Sequence, residues 1–356
     1  MPKAYLVLAD GTVYEGEGFG ASGEAIGELV FTTGMEGYLE TLTDPSYAGQ
    51  IIMQTFPLIG NYGVIEADFE GACHARGYVV RECCDTPSNF RSQGALDAYL
   101  KAQGVPGICG LDTRAITRRI RERGVVNAMI CSEIPENLNL LQEYAVRGVV
   151  EETSCKHAEV YPPVGETKYR VALIDYGAKR NIVRELQKRG CEVTLLPSSV
   201  SAQKILTMHP DGLMLSNGPG DPEENTYCIA QIAALLGKLP IFGICLGHQM
   251  TALAAGGRTE KMKYGHRGAN QPVKDVEGAR CYITSQNHGY AVLSDSVRAG
   301  KIRYVNANDG SCEGIDYPEF NAFTVQFHPE ASAGPHDTAF LFDRFISMMG
   351  GEMQCR

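Results

Sequence analysis

A cysteine lies between two glycines in the segment GICLG, residues 243–247. Apolar residues precede Cys245, and the residues after it have the pattern of a helix. The form G-x-C-x-G at a strand-to-helix junction is the thiol version of a nucleophile elbow, a tight turn that lifts the side chain out of a sheet. The flanking glycines suit a turn in which larger side chains would clash. The free N–H groups and dipole at the start of the helix favour thiolate over thiol, so we predict that Cys245 is a nucleophile.

A cysteine nucleophile needs a base, and the base needs a group that orients it. The segment QFHPE, residues 326–330, supplies both, because His328 and Glu330 are two apart and project on one side of an extended backbone. We expect His328 to exchange protons with Cys245 while Glu330 holds its other ring nitrogen. The other seven of the eight histidines lack such a pairing, and His288 in SQNHGY is the best rival. The alternative is a core cysteine and a structural histidine.

A third segment, LSNGPGDP at residues 215–222, follows an apolar run. Its Gly-Pro-Gly sequence predicts a rigid loop with exposed N–H groups. Such a loop supplies a second oxyanion donor beside the N–H of Leu246, unless it is an ordinary turn.

The elements that must position these residues differ between the two halves of the chain. The first 70 residues contain short β-branched and aromatic runs, with a hairpin turn at Asp10-Gly11, and two helices are expected at 92–104 and 112–124. From residue 169 onward strands alternate with helices, which predicts right-handed βαβ units, a mostly parallel sheet and ligands at the carboxyl ends of the strands. We therefore predict an α/β protein with a β-rich mixed N-terminal domain at 1–155, a linker at 156–168 and a mostly parallel α/β domain with a nucleophile elbow at 169–350.

Composition excludes several classes of function. The chain has 356 residues and a formal net charge of −10, which argues against a nucleic-acid partner. No apolar stretch approaches the roughly 20 residues that span a bilayer, so we expect no membrane partner. The 12 cysteines are scattered and contain no C-x-x-C pair, which predicts reduced, mostly buried thiols in a cytoplasmic protein and no metal site.

The strings GICLGHQ, SNGPGDP, QNHGY and QFHPE occur in order, and together they resemble the class I, triad-type glutamine amidotransferases. The first half, from LADGTVYEG to LIGNYG, resembles the amino-terminal domain of the small subunits of carbamoyl-phosphate synthetases. SNFR, GLDTRAITRRIRERG, DYGAKRNI and KYGHRGANQPVKD also fit that family. The resemblance covers about residues 3–347.

The resemblance implies that Cys245 attacks the side-chain amide of glutamine, that His328 transfers protons and that Glu330 orients His328. It also implies a set of contacts to L-glutamine, made by Ser46, Gly218, Gly220, Leu246, Gln249, Asn287, Gly289 and Tyr290. Ser46 lies in TDPSYAG of the first half, so that half is expected to help close the pocket.

The resemblance further implies a hetero-oligomer with a large subunit, which uses the ammonia with bicarbonate and ATP to make carbamoyl phosphate. No cofactor is expected in this chain, and ATP and magnesium are expected on the large subunit. Three alternatives remain: an amidotransferase subunit of another synthase, a stand-alone γ-glutamyl hydrolase and a non-catalytic scaffold. The N-terminal half of the chain argues against a subunit of another synthase. The presence of both a nucleophile and a base argues against a non-catalytic scaffold.

Overall fold

The computed structural model describes residues 2–350, and the chain divides into two compact units between Arg147 and Gly148. The strands of the first unit are β1 (Lys3–Leu8), β2 (Val13–Gly20), β3 (Ala25–Thr32), β4 (Gln50–Gln54), β5 (Leu58–Ile59), β6 (Gly77–Val79), β7 (Glu82–Cys83), β8 (Pro106–Cys109) and β9 (Val126–Cys131). Its α-helices are α1 (Tyr38–Leu42), α2 (Leu96–Gln103), α3 (Thr113–Arg123) and α4 (Asn139–Gln142).

Seven strands of the first unit form a closed barrel in the order β1-β2-β8-β6-β4-β3-β9. The predicted turn at Asp10-Gly11 is confirmed, since it joins the antiparallel strands β1 and β2 and Gly11 has φ of 84°. The barrel closes where β1 pairs with β9, with Tyr5 opposite Cys131. The β-rich character of this half is thus confirmed.

Both predicted helices of the first half are present, with bounds set by their caps. The side chain of Asp112 accepts a hydrogen bond from the N–H of Ala115 at 3.0 Å, so α3 begins at Thr113. Helix α2 ends before Gly104, which has φ of 70°, a conformation that glycine adopts at little cost.

The second unit contains six α-helices and ten strands in its described part. The helices are α5 (Val149–Thr153), α6 (Arg180–Lys188), α7 (Ala202–Thr207), α8 (Thr226–Leu235), α9 (Leu246–Ala254) and α10 (Phe340–Met349). The strands are β10 (Glu159–Tyr161), β11 (Tyr169–Asp175), β12 (Cys191–Pro197), β13 (Gly212–Leu215), β14 (Ile241–Ile244), β15 (Thr259–Asp275), β16 (Cys281–Val292), β17 (Lys301–Asn306), β18 (Cys312–Tyr317) and β19 (Ala322–Val325).

These ten strands form one sheet in the order β10-β12-β11-β13-β14-β19-β18-β16-β15-β17. The five strands from β12 to β19 are parallel, as the alternation of strands and helices predicts. Strands β18, β16, β15 and β17 extend this parallel part with antiparallel pairing, which the sequence pattern did not predict. Two buried apolar clusters cover the sheet, one containing Ile232 and Met250 and the other Phe242 and Phe345.

The parallel part of the sheet positions the predicted site. Strands β11, β13, β14 and β19 are parallel neighbours in the sheet, so their carboxyl ends lie at one edge. The segments that follow them begin at Tyr176, Ser216, Cys245 and Gln326. The three predicted chemical motifs are therefore brought to one edge.

The division between the units differs from the predicted boundary at residue 155 and the predicted linker at 156–168. Residues 149–153 form α5 of the second unit. Residues 159–161 form β10, which pairs antiparallel with β12 through Glu159 opposite Leu195. The paired prolines at 162 and 163 come directly after this strand and end it, because proline lacks a backbone N–H.

Each of the eleven cysteines in residues 2–350 is a free thiol, and six of them are buried. Cys355 lies outside the described residues. No helix within residues 2–350 combines the length and the apolar character that a membrane crossing requires.

Candidate active site

Cys245 connects β14 to α9 in a strained conformation. Its φ of 52° and ψ of −102° lie outside the regions that residues with a side chain favour, at a cost of about 1–3 kcal/mol. The backbone N–H of Cys245 donates to the carbonyl of Val325 at 2.8 Å, which ties the turn to the neighbouring strand. The side chain is 3% exposed. The predicted elbow is therefore present.

The two glycines around Cys245 are required by close packing. A Cβ at Gly243 would lie 2.9 Å from Cγ2 of Thr324, and a Cβ at Gly247 would lie 2.6 Å from the carbonyl oxygen of Leu215. Both separations are shorter than carbon atoms normally reach in proteins. The structure confirms that the turn needs small residues on both sides of the cysteine.

His328 and Glu330 form a buried pair next to this elbow. Nδ1 of His328 lies 2.6 Å from Oε1 of Glu330, and both side chains are at most 1% exposed. Strand β19 ends at Val325, so the two residues lie in a turn rather than in the extended backbone that was predicted. The N–H of His328 donates to the carbonyl of Ser285 at 2.9 Å and fixes this turn.

The imidazole of His328 responds to three neighbouring groups. Burial and the Lys179 ammonium lower the pKa of His328, but the Glu330 carboxylate and the neighbouring Cys245 thiol outweigh them and raise it above its usual range. Nε2 of His328 has no partner at ordinary hydrogen-bond geometry within the described chain. The thiol of Cys245 thus lies close enough to affect the imidazole without a well-aligned hydrogen bond. The arrangement leaves Nε2 as the nitrogen available for proton transfer.

Lys179 is a member of the site that the sequence argument missed. Its Nζ lies 3.4 Å from Oε1 of Glu330, and its side chain is only 10% exposed. Burial raises the pKa of Glu330, but His328 and Lys179 lower it by more than burial raises it. The carboxyl group is therefore held ionised. The side-chain amide of Asn181 also donates to the backbone carbonyl of Glu330. The position of Lys179 just after β11, at the carboxyl edge of the sheet, is the signal that would have indicated it.

The loop after β13 packs tightly against the segment after β11. The side chain of Asn217 accepts a hydrogen bond from the N–H of Lys179 at 3.0 Å and donates to the carbonyl of Gly177 at 3.0 Å. A Cβ at Gly218 would lie 2.3 Å from the carbonyl oxygen of Tyr176, and Gly220 has φ of 86°. The loop is therefore a fixed structure that only glycine permits at these two positions.

The remaining predicted glutamine contacts of the second unit lie on α9 and β16. Leu246 begins α9, and Nε2 of Gln249 donates to the carbonyl of Tyr290 at 2.8 Å. The thiol of Cys245 donates to the carbonyl of Asn287 at 3.7 Å. These contacts bring the helix and the strand together beside Cys245.

Gly289 and Ser46 complete the predicted set. Gly289 lies on β16 between His288 and Tyr290. Ser46 lies in the first unit, in a short 3-10 helix where its N–H donates to the side chain of Asp44 at 2.9 Å. Its contact with glutamine stays a prediction.

Two other histidines also lie beside acids, contrary to the prediction from the sequence, and one of them is His288, whose Nε2 lies 3.8 Å from a carboxylate oxygen of Glu313. Nε2 of His266 lies 2.9 Å from a carboxylate oxygen of Asp309, so His328 is not the only histidine paired with an acid. The two residues belong to different elements, and spacing along the chain could not show their pairing.

The fold and this site define a class I glutamine amidotransferase domain, and the family model with the description "Glutamine amidotransferase class-I" matches residues 172–348. A second model, "Carbamoyl-phosphate synthase small chain, CPSase domain", matches residues 6–130. The chain belongs to the family of carbamoyl phosphate synthase small chains.

The similarity to curated relatives extends over the whole chain. The carbamoyl phosphate synthase small chain of Listeria monocytogenes serotype 4b is 49% identical over 99% of this chain and 98% of the relative. That of Bacillus caldolyticus is 48% identical over 98% of this chain and 96% of the relative. That of Fusobacterium nucleatum is 49% identical over 99% of this chain and the full length of the relative.

Proposed function

We propose that this chain is the glutaminase subunit of a glutamine-dependent carbamoyl phosphate synthase, with Cys245 as nucleophile, His328 as proton carrier and Glu330 as the residue that orients it. The activity follows from membership of the family, and the residue roles are the proposal. One observation supports them most: the buried His328–Glu330 pair, with a separation of 2.6 Å, lies beside a cysteine on a strained elbow.

In the first step His328 takes the thiol proton of Cys245, and the sulfur attacks the side-chain amide carbon of glutamine. The carbonyl oxygen becomes negatively charged, and the N–H of Leu246 together with the loop from Gly218 to Gly220 stabilises it. Leu246 is the first residue of α9, so its N–H has no acceptor within the helix. Backbone donors fixed in advance around a developing charge supply a large part of catalysis in such sites.

His328 then gives a proton to the departing nitrogen, and the carbon–nitrogen bond breaks to release ammonia. The product on the enzyme is a γ-glutamyl thioester. Water attacks this thioester while His328 takes the proton from the water. Glutamate leaves, and the sulfur of Cys245 regains its proton. Glu330, which Lys179 helps to hold ionised, keeps Nδ1 of His328 engaged, so Nε2 performs both transfers.

The ammonia passes to a large subunit, which combines it with bicarbonate and ATP. The names of the relatives as small chains support such a hetero-oligomer. ATP and magnesium belong to the large subunit, and the chain itself works without a cofactor. We also propose that the protein acts in the cytoplasm, in line with its eleven free cysteines within residues 2–350.

Replacement of the nucleophile tests the proposal. In the complex with the large subunit, Cys245→Ser is expected to abolish glutamine-dependent formation of carbamoyl phosphate and to leave ammonia-dependent formation intact. Cys281→Ser, which changes an exposed cysteine, is the matched control and is expected to retain both activities. Loss of both activities in Cys245→Ser, or survival of the glutamine-dependent one, would contradict the proposed roles. A chain that hydrolyses glutamine equally fast without the large subunit would favour a stand-alone hydrolase.

A further inference from the structure

Three buried ionisable side chains that the mechanism does not use converge on the antiparallel part of the sheet. They are His266 on β15, His288 on β16 and Glu313 on β18, and their nearest nitrogen and oxygen atoms all lie within 4.8 Å of one another. Glu313 is fully buried, and Oε2 of its carboxylate has no hydrogen-bond partner among residues 2–350. A buried carboxylate is costly unless it is paired and hydrogen-bonded, and burial raises the pKa of Glu313.

The cluster joins two strands that the main chain barely connects. Within the described chain, β16 and β18 pair only through Val292 and Cys312. Next to Cys312, the carboxylate of Glu313 lies 3.8 Å from Nε2 of His288. The side chains thus continue the connection between the strands beyond the single backbone pair.

His288 holds the part of β16 that faces the nucleophile. Its Nδ1 donates to the carbonyl of Tyr290 at 2.8 Å, an oxygen that also accepts from Nε2 of Gln249. Its chain neighbours are Asn287, whose carbonyl accepts from the thiol of Cys245, and a glycine of the predicted glutamine site. A change in the orientation of His288 would therefore move the backbone beside the sulfur.

Glu313 also contacts His266, whose ring packs edge-on against that of His288 with the centroids 5.0 Å apart. Nδ1 of His266 lies 3.4 Å from Oε1 of Glu313, and Nε2 of His266 lies 2.9 Å from Asp309. Burial lowers the pKa of His266, but the two carboxylates outweigh this and raise it, which favours an imidazolium between them. The side-chain amide of Asn306 also donates to Oε1 of Glu313 at 3.3 Å. Burial lowers the pKa of His288 well below its ordinary value, which favours a neutral imidazole. A connected set of charged and neutral polar side chains thus leads from Asp309, whose side chain is 46% exposed, to the substrate strand.

We propose that Glu313 is a positioning residue for glutamine: through His288 it holds residues 287–290 in the geometry that receives the substrate beside Cys245. This inference rests on the proposed function. Because Glu313 acts through His288, its carboxyl group governs how well glutamine binds more than the rate of the chemical step. The same three side chains are also a donor set suited to a divalent metal ion, and the test distinguishes that outcome.

The decisive variant is Glu313→Gln, which keeps the shape of the side chain and replaces the carboxyl group by an amide. In the complex with the large subunit, the KM for glutamine is expected to rise about tenfold, equivalent to about 1.4 kcal/mol. The kcat is expected to stay within about threefold, since an interaction equal in ground and transition states changes KM alone. Glu319→Gln, at an exposed position that follows the same strand, is the matched control and is expected to change neither constant.

An unchanged KM in Glu313→Gln, or a fall in kcat without a change in KM, would overturn the inference. Stoichiometric zinc or another divalent metal in the purified wild-type complex would also overturn it, in favour of a metal site. If Glu313→Gln does not fold, Asp309→Asn serves instead, with a smaller rise in KM expected and an unchanged KM counting against the inference. A wild-type complex without glutaminase activity would refute the proposed function itself, whereas an active wild type with unaffected variants refutes only the role of Glu313.

Discussion

Replacement of Gly247 by alanine sets two opposing effects against each other at the elbow. Gly247 is the second residue of α9, and glycine within a helix is usually less favourable than alanine by about 0.8–1.0 kcal/mol. Helix propensity alone therefore predicts that Gly247→Ala stabilises the protein.

The structure predicts the reverse. A Cβ at this position would lie 2.6 Å from the carbonyl oxygen, 2.7 Å from Cβ and 2.9 Å from the carbonyl carbon of Leu215. These atoms belong to the end of β13, a central strand, so they cannot rotate away as the tip of a side chain could. Overpacking of this kind costs about 1–3 kcal/mol and exceeds the gain in propensity. The loop that contains Gly218 and Gly220 begins directly after Leu215. A displacement of Leu215 therefore also reaches the proposed active site.

We expect Gly247→Ala to lower the free energy of unfolding by about 1–2 kcal/mol, which corresponds to a fall in Tm of about 2–8 °C for a unit of this size. Thermal unfolding and glutaminase assays of the same preparation measure the two consequences. Gly94→Ala is the control, since a Cβ at Gly94 would meet no atom within 4 Å. A Tm for Gly247→Ala at or above that of the wild type, with full glutaminase activity, would refute the packing argument.

Three further predictions concern charges and contacts of the site. Glu330→Gln is expected to lower Tm most between about pH 4.5 and pH 6.5. Because the pKa of His328 is raised in the folded protein, its pairing with Glu330 contributes fully to stability below pH 6.5, the ordinary pKa of histidine. This contribution is lost as pH rises through the folded pKa. The pKa of Glu330 is lowered in the folded protein, so the stability that its carboxylate contributes is lost as the group is protonated at acid pH. A wild-type-to-variant difference in Tm that grows toward alkaline pH would contradict this. Lys179→Met removes a charge that lowers the pKa of His328, so the rising limb of kcat/KM against pH is expected to move to higher pH; an unmoved limb would exclude this influence. Ser46→Ala is expected to raise the KM for glutamine about tenfold, as for one lost hydrogen bond, and an unchanged KM would exclude the contact.

The chemistry of the site was readable from the sequence because it depends on local patterns. The two glycines around Cys245, and the separation of two between His328 and Glu330, are properties of short segments. The parallel strands followed from the alternation of strands and helices, and their carboxyl ends necessarily lie at one edge. These features need no knowledge of distant contacts.

The parts that the sequence did not reveal depend on contacts between distant segments. Lys179 reaches Glu330 across 151 positions of the chain, the difference between their numbers. The cluster of His266, His288 and Glu313 forms because three strands of different sequence position lie side by side. The short strand at 159–161 has too few residues for a periodic pattern and exists because β12 offers an edge. Spacing rules describe one element at a time and therefore miss such sites.

Closure of the first unit's barrel has a consequence for synthesis of the chain. Strand β1 at the N-terminal end pairs with β9, which ends at Cys131, so the ring cannot be completed until that residue has left the ribosome. Before then the nascent barrel strands carry unpaired backbone groups that invite association with other chains. A truncation that removes Lys3–Leu8 would make this vulnerable state permanent, because β2 and β9 would each keep an open edge.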